Sequence, residues 1–214
     1  MTISKKDHWE NIYDSKALNE VSWYQPIPKT SLNFIESCSL QRNSPIIDVG
    51  GGDSFLSDYL LKRDYEDISV LDISSNAIER AKKRQGELSN KINWIVSDVL
   101  DFSSKKEYAV WHDRAVFHFL RDEKDIKQYI NILLKSLTQK GNLVLGTFAE
   151  DGPTRCCALD VRRYSFQNFE NLLSKYFTII KTQNVIHKTP FNTEQSFNFI
   201  QACALLFPLL QYKK

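Results

Sequence analysis

The stretch Pro45-Ile46-Ile47-Asp48-Val49-Gly50-Gly51-Gly52-Asp53-Ser54-Phe55-Leu56 decides the fold. A proline opens a short apolar run, the run stops at three consecutive glycines, and a helical pattern of Phe55, Leu56, Tyr59 and Leu60 follows. Strand, tight loop, helix is the order in which an open α/β sheet presents a ligand loop at a strand's carboxyl end. Glycine suits that place because a missing Cβ permits positive φ and lets a ligand lie against backbone N–H groups. Three glycines also fit a tight turn that touches no ligand, so the remainder of the chain has to decide.

Outward from this unit the pattern repeats. Ile68 to Leu71 is a second apolar run ending in Asp72, and a helix starts at Ser74 or Ser75 with Ile78 and Ala81 on one face. Ile92 to Val96, Ala109 to Trp111 and Leu143 to Phe148 are three more strand candidates, the last two separated by a helix from about Glu123 to Leu137 closed by Gly141. Strands alternating with helices imply a mostly parallel sheet. After Pro153 the rhythm changes to a helix near Gln167 to Ser174. Two strands then follow, Phe177 to Ile186 and Ser196 to Leu206, joined by the turn Thr189-Pro190-Phe191-Asn192 as an antiparallel hairpin. Upstream, Trp9, Ile12 and Tyr13 recur at helical spacing between Ser4 and about Ser15. A loop from Val21 to Pro28 carries Trp23 and Tyr24, and a second helix, capped by Thr30 or Ser31, runs to Ser37. The expected organisation is one domain over 1–214, with a helical cap at 1–40 and a Rossmann-like core at 45–214.

Composition narrows the function classes. The chain has 214 residues, 42% hydrophobic and 25% charged, with only 7 Gly and 6 Pro, which is a folding chain and not a linker. A formal net charge of +2, with the basic cluster Lys82, Lys83 and Arg84 the longest of its kind, argues against a nucleic-acid partner. Cys38, Cys156, Cys157 and Cys203 lack metal or redox spacing and are expected to be reduced thiols of a cytoplasmic protein. The N-terminal stretch lacks a signal-peptide apolar core, and the run near Ile200 to Leu210 is interrupted by Gln201 and Pro208, so neither secretion nor a membrane span is expected.

Three acids give the glycine loop its chemistry. Dinucleotide binders place G-x-G-x-x-G here, but Phe55 stands where the third glycine would be, and Asp48 and Asp53 would repel a pyrophosphate. These acids suit a ligand with positive charge near the loop, such as an amino group or a sulfonium. Asp72 lies where an acid accepts hydrogen bonds from ribose hydroxyls, although it could also cap the following helix. Asp98, at the end of the third strand, could accept from the exocyclic amine of adenine, and alone it is a common strand-end acid. Taken in strand order, the loop, Asp72 and Asp98 describe a site for amino acid, ribose and adenine.

D-V-G-G-G-D-S (48–54), L-D-I-S (71–74), S-D-V (97–99) and the terminal hairpin resemble the class I S-adenosylmethionine-dependent methyltransferases over nearly the whole chain. Ser54 departs from that family's commoner D-x-G-x-G-x-G by replacing its last glycine. The resemblance implies a seven-stranded sheet of order 3-2-1-4-5-7-6 with the seventh strand antiparallel, helices on both faces and an N-terminal helical cap. It implies S-adenosylmethionine as cofactor, S-adenosylhomocysteine as product, a small-molecule or protein side-chain methyl acceptor, and a monomer or weak dimer. The cofactor would be held by Trp9, Tyr13, Trp23, Asp48, Gly50, Gly51, Gly52, Asp53, Asp72, Ile73, Asp98 and Val99. Two finer resemblances concern the acceptor. HWENIYDSKALNEVSWYQ (8–25), WHDRAVFHFL (111–120) and TFAEDGPTRC (147–156) look like a bacterial branch related to citrate synthase-lysine methyltransferase, while Asp113-Arg114 is similar to the Asp-Arg of thiopurine methyltransferases.

Methyl transfer from a sulfonium is an in-line displacement, so alignment and exclusion of water supply most of the acceleration and a dedicated base is dispensable. His112, Asp113, Arg114 and His118 follow the fourth strand on the expected cofactor face and are the catalytic candidates. Each also has a plain structural role open to it: the two histidines lack a third metal ligand, and Arg114 could either hold an acceptor carboxylate or simply pair with Asp113. Arg155, Cys156 and Arg163 are expected on the acceptor side. Trp9, Tyr13, Trp23 and Tyr24 read equally as a lid facing the sulfonium and as ordinary packing. The competing classes are an NAD(P)-dependent oxidoreductase and a catalytically silent cofactor-binding module.

Overall fold

Period-two alternation sorts the apolar side chains of the first strand onto two faces: Ile46 enters one hydrophobic core, and Ile47 and Val49 enter the other. The computed structural model describes residues 4–205, so the end of the expected last strand at Leu206 and the apolar run toward Leu210 lie outside the described residues. In chain order the elements are α1 (Lys5–Ser15), α2 (Lys29–Ser37), β1 (Ile46–Val49), α3 (Leu56–Leu61), β2 (Ile68–Asp72), α4 (Ser75–Gln85), β3 (Ile92–Val96) and β4 (Tyr108–Arg114). There follow α5 (Glu123–Ser136), β5 (Leu137–Phe148), the short β6 (Arg155–Cys156) and β7 (Leu159–Asp160), α6 (Phe166–Leu173), β8 (Phe177–Lys188) and β9 (Glu194–Ala204).

Seven strands form one sheet in the order β3-β2-β1-β4-β5-β9-β8, and β6 and β7 pair separately. With that small ribbon set aside, β8 and β9 are the sixth and seventh strands, and the order is the expected 3-2-1-4-5-7-6. β9 runs antiparallel to both neighbours, pairing Leu145 with Ile200 and Thr182 with Ile200. Helices cover both faces. Leu32, Phe34 and Ile35 of α2 pack with Leu56 and Leu60 of α3 on one side, while Ile126, Tyr129, Ile130 and Leu133 of α5 and Phe169 and Leu173 of α6 pack on the other. Among the described residues no helix is long and apolar enough to cross a membrane.

Three boundaries differ from the sequence reading, each for a local reason. β4 runs to Arg114, so His112, Asp113 and Arg114 lie within the strand and not after it, paired with Val144, Leu145 and Gly146. Polar residues are tolerated there because their side chains find partners at the sheet's carboxyl edge. α5 stops at Ser136, and β5 starts directly at Leu137, which pairs with Tyr108 ahead of a register shift. Gly141 therefore lies inside a strand and does not close the helix. α2 starts after Pro28 without a side-chain cap, and Ser31, expected to cap it, turns inward.

α1 buries none of its residues in the core; Trp9, Ile12 and Tyr13 are half-buried on the face turned to the sheet. Polar contacts dock it instead. Glu10 accepts hydrogen bonds from Ser74 Oγ (2.7 Å), Ser75 N (2.8 Å), Ser75 Oγ (2.7 Å) and Asn76 N (2.9 Å), so a side chain of α1 caps the N-terminus of α4. Arg80 of α4 returns the contact, donating to the carbonyls of Tyr13 and Lys16 at 2.7 Å each.

Candidate functional site

A cleft with about 1380 Å³ of empty space, its open mouth included, lies over the carboxyl ends of β1 to β4 beneath α1 and the 21–28 loop.

The glycine loop forms the floor. Gly50 has φ +66°, and a Cβ there would stand 2.0 Å from Val116 Cγ2; Gly52 has φ +39°, and its Cβ would stand 2.7 Å from Asp72 Oδ2. Both positions therefore need glycine, for backbone conformation and for close approach. Ser54 takes no positive φ, so the missing last glycine costs nothing; its N–H donates to Gly51 O and its Oγ accepts from Leu56 N.

Asp48, Gly50, Gly51, Asp53, Asp72, Ile73, Asp98 and Val99 all line the cleft, whereas Gly52 does not. Asp48 is fixed by His112, whose Nδ1–H donates to Oδ1 at 2.7 Å, while the far ring nitrogen pairs with Ser31 Oγ at 2.9 Å. This buried chain from α2 through β4 to β1 sets the angle of the Asp48 carboxylate. Asp53 behaves differently from the expectation that it faces a cationic ligand. Arg80 Nε reaches its Oδ2 at 2.9 Å and Arg84 Nη1 its Oδ1, so both oxygens tie the loop to α4. Two arginines four residues apart on one helix face make this possible; the basic 82–84 cluster held half of the signal.

Asp72 lines the cleft and also supports the cap of the following helix. Oδ1 accepts from Ser74 N at 2.8 Å, and Ser74 Oγ then caps α4 through Ala77 N at 3.1 Å. Burial, with Asp48 and Glu10 nearby, pushes its carboxyl up to about 7. Asp98 accepts from Leu100 N at 2.9 Å and borders the same cleft. The two carboxylates sit at neighbouring strand ends with Ile73 and Val99 beside them, an acceptor-only set suited to hydroxyl and amino donors flanking an apolar ring.

The aromatic residues form the roof. Trp9 meets Trp23 edge-on at 6.0 Å and Phe119 at 5.2 Å, Tyr13 meets Trp23 at 6.2 Å, and all of these, with Tyr24, line the cleft.

The four catalytic candidates divide. His112 and Arg114 line the cleft; Asp113 and His118 do not. Asp113, fully buried, accepts from Tyr129 OH (2.6 Å), Val116 N (2.9 Å) and Phe117 N (3.3 Å), and burial pushes it up to about 6. It shapes the turn after β4, where Ala115 takes φ +81°. His118 Nδ1 accepts from Phe148 N at 3.4 Å between Phe148 and Phe119, and burial lowers it to about 3. Arg114 does not pair with Asp113, whose oxygens are taken; its Nη1 donates to Trp23 O at 3.3 Å and its guanidinium lies 4.6 Å from the Phe197 ring. Of the acceptor-side residues, Cys156 lines the cleft, whereas Arg155 turns to Asp160 and Arg163 to Gly152 O. The sequence reading missed Glu10 and Ser31, whose partners lie 64 and 81 positions away.

Phe55 occupies the N-cap position of α3, with Arg84 4.3 Å from its ring, so a third dinucleotide glycine is replaced by a side chain packed beside the loop.

Comparison with known proteins places these features in context. The model of the nodulation protein S (NodS) family matches residues 31–157. Malonyl-[acyl-carrier protein] O-methyltransferase 1 of Ilyobacter polytropus is 32% identical over 116 residues, covering 54% of this chain and 41% of the relative. The chain spans less than half the length of the curated relatives it matches first. Among solved structures, an S-adenosylmethionine-dependent methyltransferase from Anabaena variabilis aligns with TM-score 0.73 at 14% identity over 95% of this chain and 96% of that one. The N-methyltransferase NodS from Bradyrhizobium japonicum, in complex with S-adenosylhomocysteine, aligns with TM-score 0.66 at 16% identity over 92% and 99%. These two likenesses establish the Rossmann-like methyltransferase fold.

Proposed function

The chain belongs to the NodS family, and from that premise we propose that it transfers the methyl group of S-adenosylmethionine to an acceptor held in the same cleft. The observation that carries this reading is the ordered set of ligand groups along three adjacent strand ends, from the β1 loop with Asp48 to Asp72 and Asp98, under one aromatic roof.

The residues present fit the cofactor. Gly50 and Gly51 leave space along the cleft that a Cβ would obstruct. Asp72 accepts from a ribose, Asp98 accepts from an adenine amine between Ile73 and Val99, and Asp48, oriented by His112 and Ser31, receives an amino group. The bound cofactor supplies an activated methyl on a sulfonium. Trp9, Tyr13 and Trp23 keep water out and offer aromatic faces to the cation. His112 has both ring nitrogens engaged, and Asp113 and His118 stand outside the cleft, which supports alignment over proton abstraction as this chain's contribution.

Of the two finer resemblances, a cleft lined largely by apolar and aromatic side chains favours a small flat molecule over an extended lysine side chain. Calorimetric titration tests the cofactor: S-adenosylhomocysteine is expected to bind one-to-one and NADH not to bind. Transfer of labelled methyl from S-adenosylmethionine into the small-molecule fraction of a cell lysate tests the reaction. Binding of NADH in place of S-adenosylhomocysteine overturns the proposal.

A further inference from the structure

Arg114 carries its charge without a direct ion-pair partner among the described residues. It ends β4, lines the cleft, and has no carboxylate within 4.0 Å among the described residues, so it forms no ion pair. Its Nη1 donates to a backbone carbonyl, Trp23 O, and its Nη2 is buried without any hydrogen-bond partner. Cys156 and Asp48 favour its charge electrostatically, yet burial outweighs them and lowers the guanidinium to about 10. Burial and Arg114 together hold His118 down at about 3 and His187 at about 4, so both rings are neutral near pH 7, and His187 Nε2 is turned to Ser22 O at 2.7 Å. A buried guanidinium with a vacant donor is costly unless something anionic arrives, because burial penalises an unpaired charge far more than a paired one.

The direction of the side chain says which reactant that anion belongs to. In the sheet, β4 stands between β1, which bears the glycine loop, and β5. The guanidinium lies over Phe197 of β9, beyond β5, and hence on the side away from β1 and from Asp72 and Asp98. The Phe197 ring and the bond to Trp23 O hold the guanidinium at the wall of the cleft that Cys156 also lines. A planar fork with a fixed orientation recognises a carboxylate in a way that a lysine point charge does not.

We propose that Arg114 is a specificity-determining residue that anchors a carboxylate on the methyl acceptor, so that the acceptor is a small, flat, anionic molecule. This rests on the methyltransferase reading above, and the test keeps the two separable. Wild type, Arg114→Gln and Arg114→Lys are titrated with S-adenosylhomocysteine and, once saturated with it, with benzoate, phenylacetate and benzamide, by calorimetry and ligand-observed NMR. Thermal melting checks that each variant is folded. The expected result is saturable binding of at least one carboxylate by wild type and none of the isosteric amide. Arg114→Gln should weaken the carboxylate by about tenfold or more, with a partial loss in Arg114→Lys, while S-adenosylhomocysteine affinity stays within about twofold.

Equal binding of benzoate and benzamide, no carboxylate binding by wild type, or an unaltered carboxylate affinity in Arg114→Gln overturns the proposal. So does a tenfold loss of S-adenosylhomocysteine affinity in Arg114→Gln with carboxylate binding intact, which would assign the arginine to the cofactor's own carboxylate. Failure of wild type to bind S-adenosylhomocysteine sinks the methyltransferase reading instead, and carboxylate binding to the free protein then judges Arg114 alone.

Discussion

Asp72 shows how one side chain is tuned by its setting. It ends a strand that is buried along its whole length, takes a backbone hydrogen bond from Ser74, and faces Asp48 and Glu10 across the cleft wall. Burial first, then those two acids, raise its pKa to about 7. In the free protein the neutral carboxyl is therefore favoured relative to the unfolded chain. Its contribution to stability is fully present below the unfolded value near ~3.9 and is lost as pH rises through about 7. A ligand hydroxyl donating to Asp72 reverses the preference and draws the proton off. Affinity for S-adenosylhomocysteine should thus fall about tenfold between pH 8 and pH 6, with a proton released on binding near pH 7. Titrations in buffers of different ionisation heat measure that proton. Asp72→Asn should bind more weakly at every pH and lose the slope; a slope that survives the substitution would move the effect to another group.

At the scale of elements, the contact between α1 and α4 holds the roof in place. Burial raises the Glu10 pKa, but the hydrogen bonds from Ser74, Asn76 and Ser75 outweigh it and set the carboxyl at about 2. This is a lowered pKa, so the stabilisation is present above the unfolded value near ~4.3 and is lost as pH falls through about 2. Glu10→Gln keeps the size and loses the charge at a helix N-terminus, which should cost about 1–2 kcal/mol in urea denaturation at pH 7. Because α1 buries no residue in the core, the same substitution should speed amide exchange along residues 5–15 and weaken cofactor binding through Trp9 and Tyr13. Unchanged exchange in α1 would show that the Arg80 contacts to Tyr13 and Lys16 suffice.

Across the whole molecule, β9 joins two regions that the chain makes far apart. It lies between β5 and β8, antiparallel to both, and contributes Ile200 and Ala202 to one core and Phe197 and Phe199 to the other. Ile200 is fully buried, with cavity formation unavoidable on truncation. Ile200→Ala should destabilise the protein by about 2–5 kcal/mol, with the urea m-value unchanged and both faces of the sheet unfolding together. Loss of one face before the other, seen as non-coincident transitions, would divide the molecule at β9. The same strand provides the Phe197 ring under Arg114, so the last strand of the fold completes a site begun by the first.

The sequence by itself determined the parallel core, the glycine loop and the acids at successive strand ends, because strand periodicity, positive φ and strand-end placement are local properties that neighbouring residues encode. Asp72, read as ligand acid or cap, does the capping through an adjacent residue, again within local reach. Tertiary structure alone decided which acids remain available: Asp53 is taken by Arg80 and Arg84, Asp113 by Tyr129 and the turn after β4, and Asp48 is aimed by His112 and Ser31. It also decided that Glu10 caps a helix 64 positions onward and that Arg114 lines the cleft without an ion pair. A charged side chain reaches several ångströms in any direction, so its partner is chosen by which elements the fold brings together, and that choice leaves no periodic trace in the sequence.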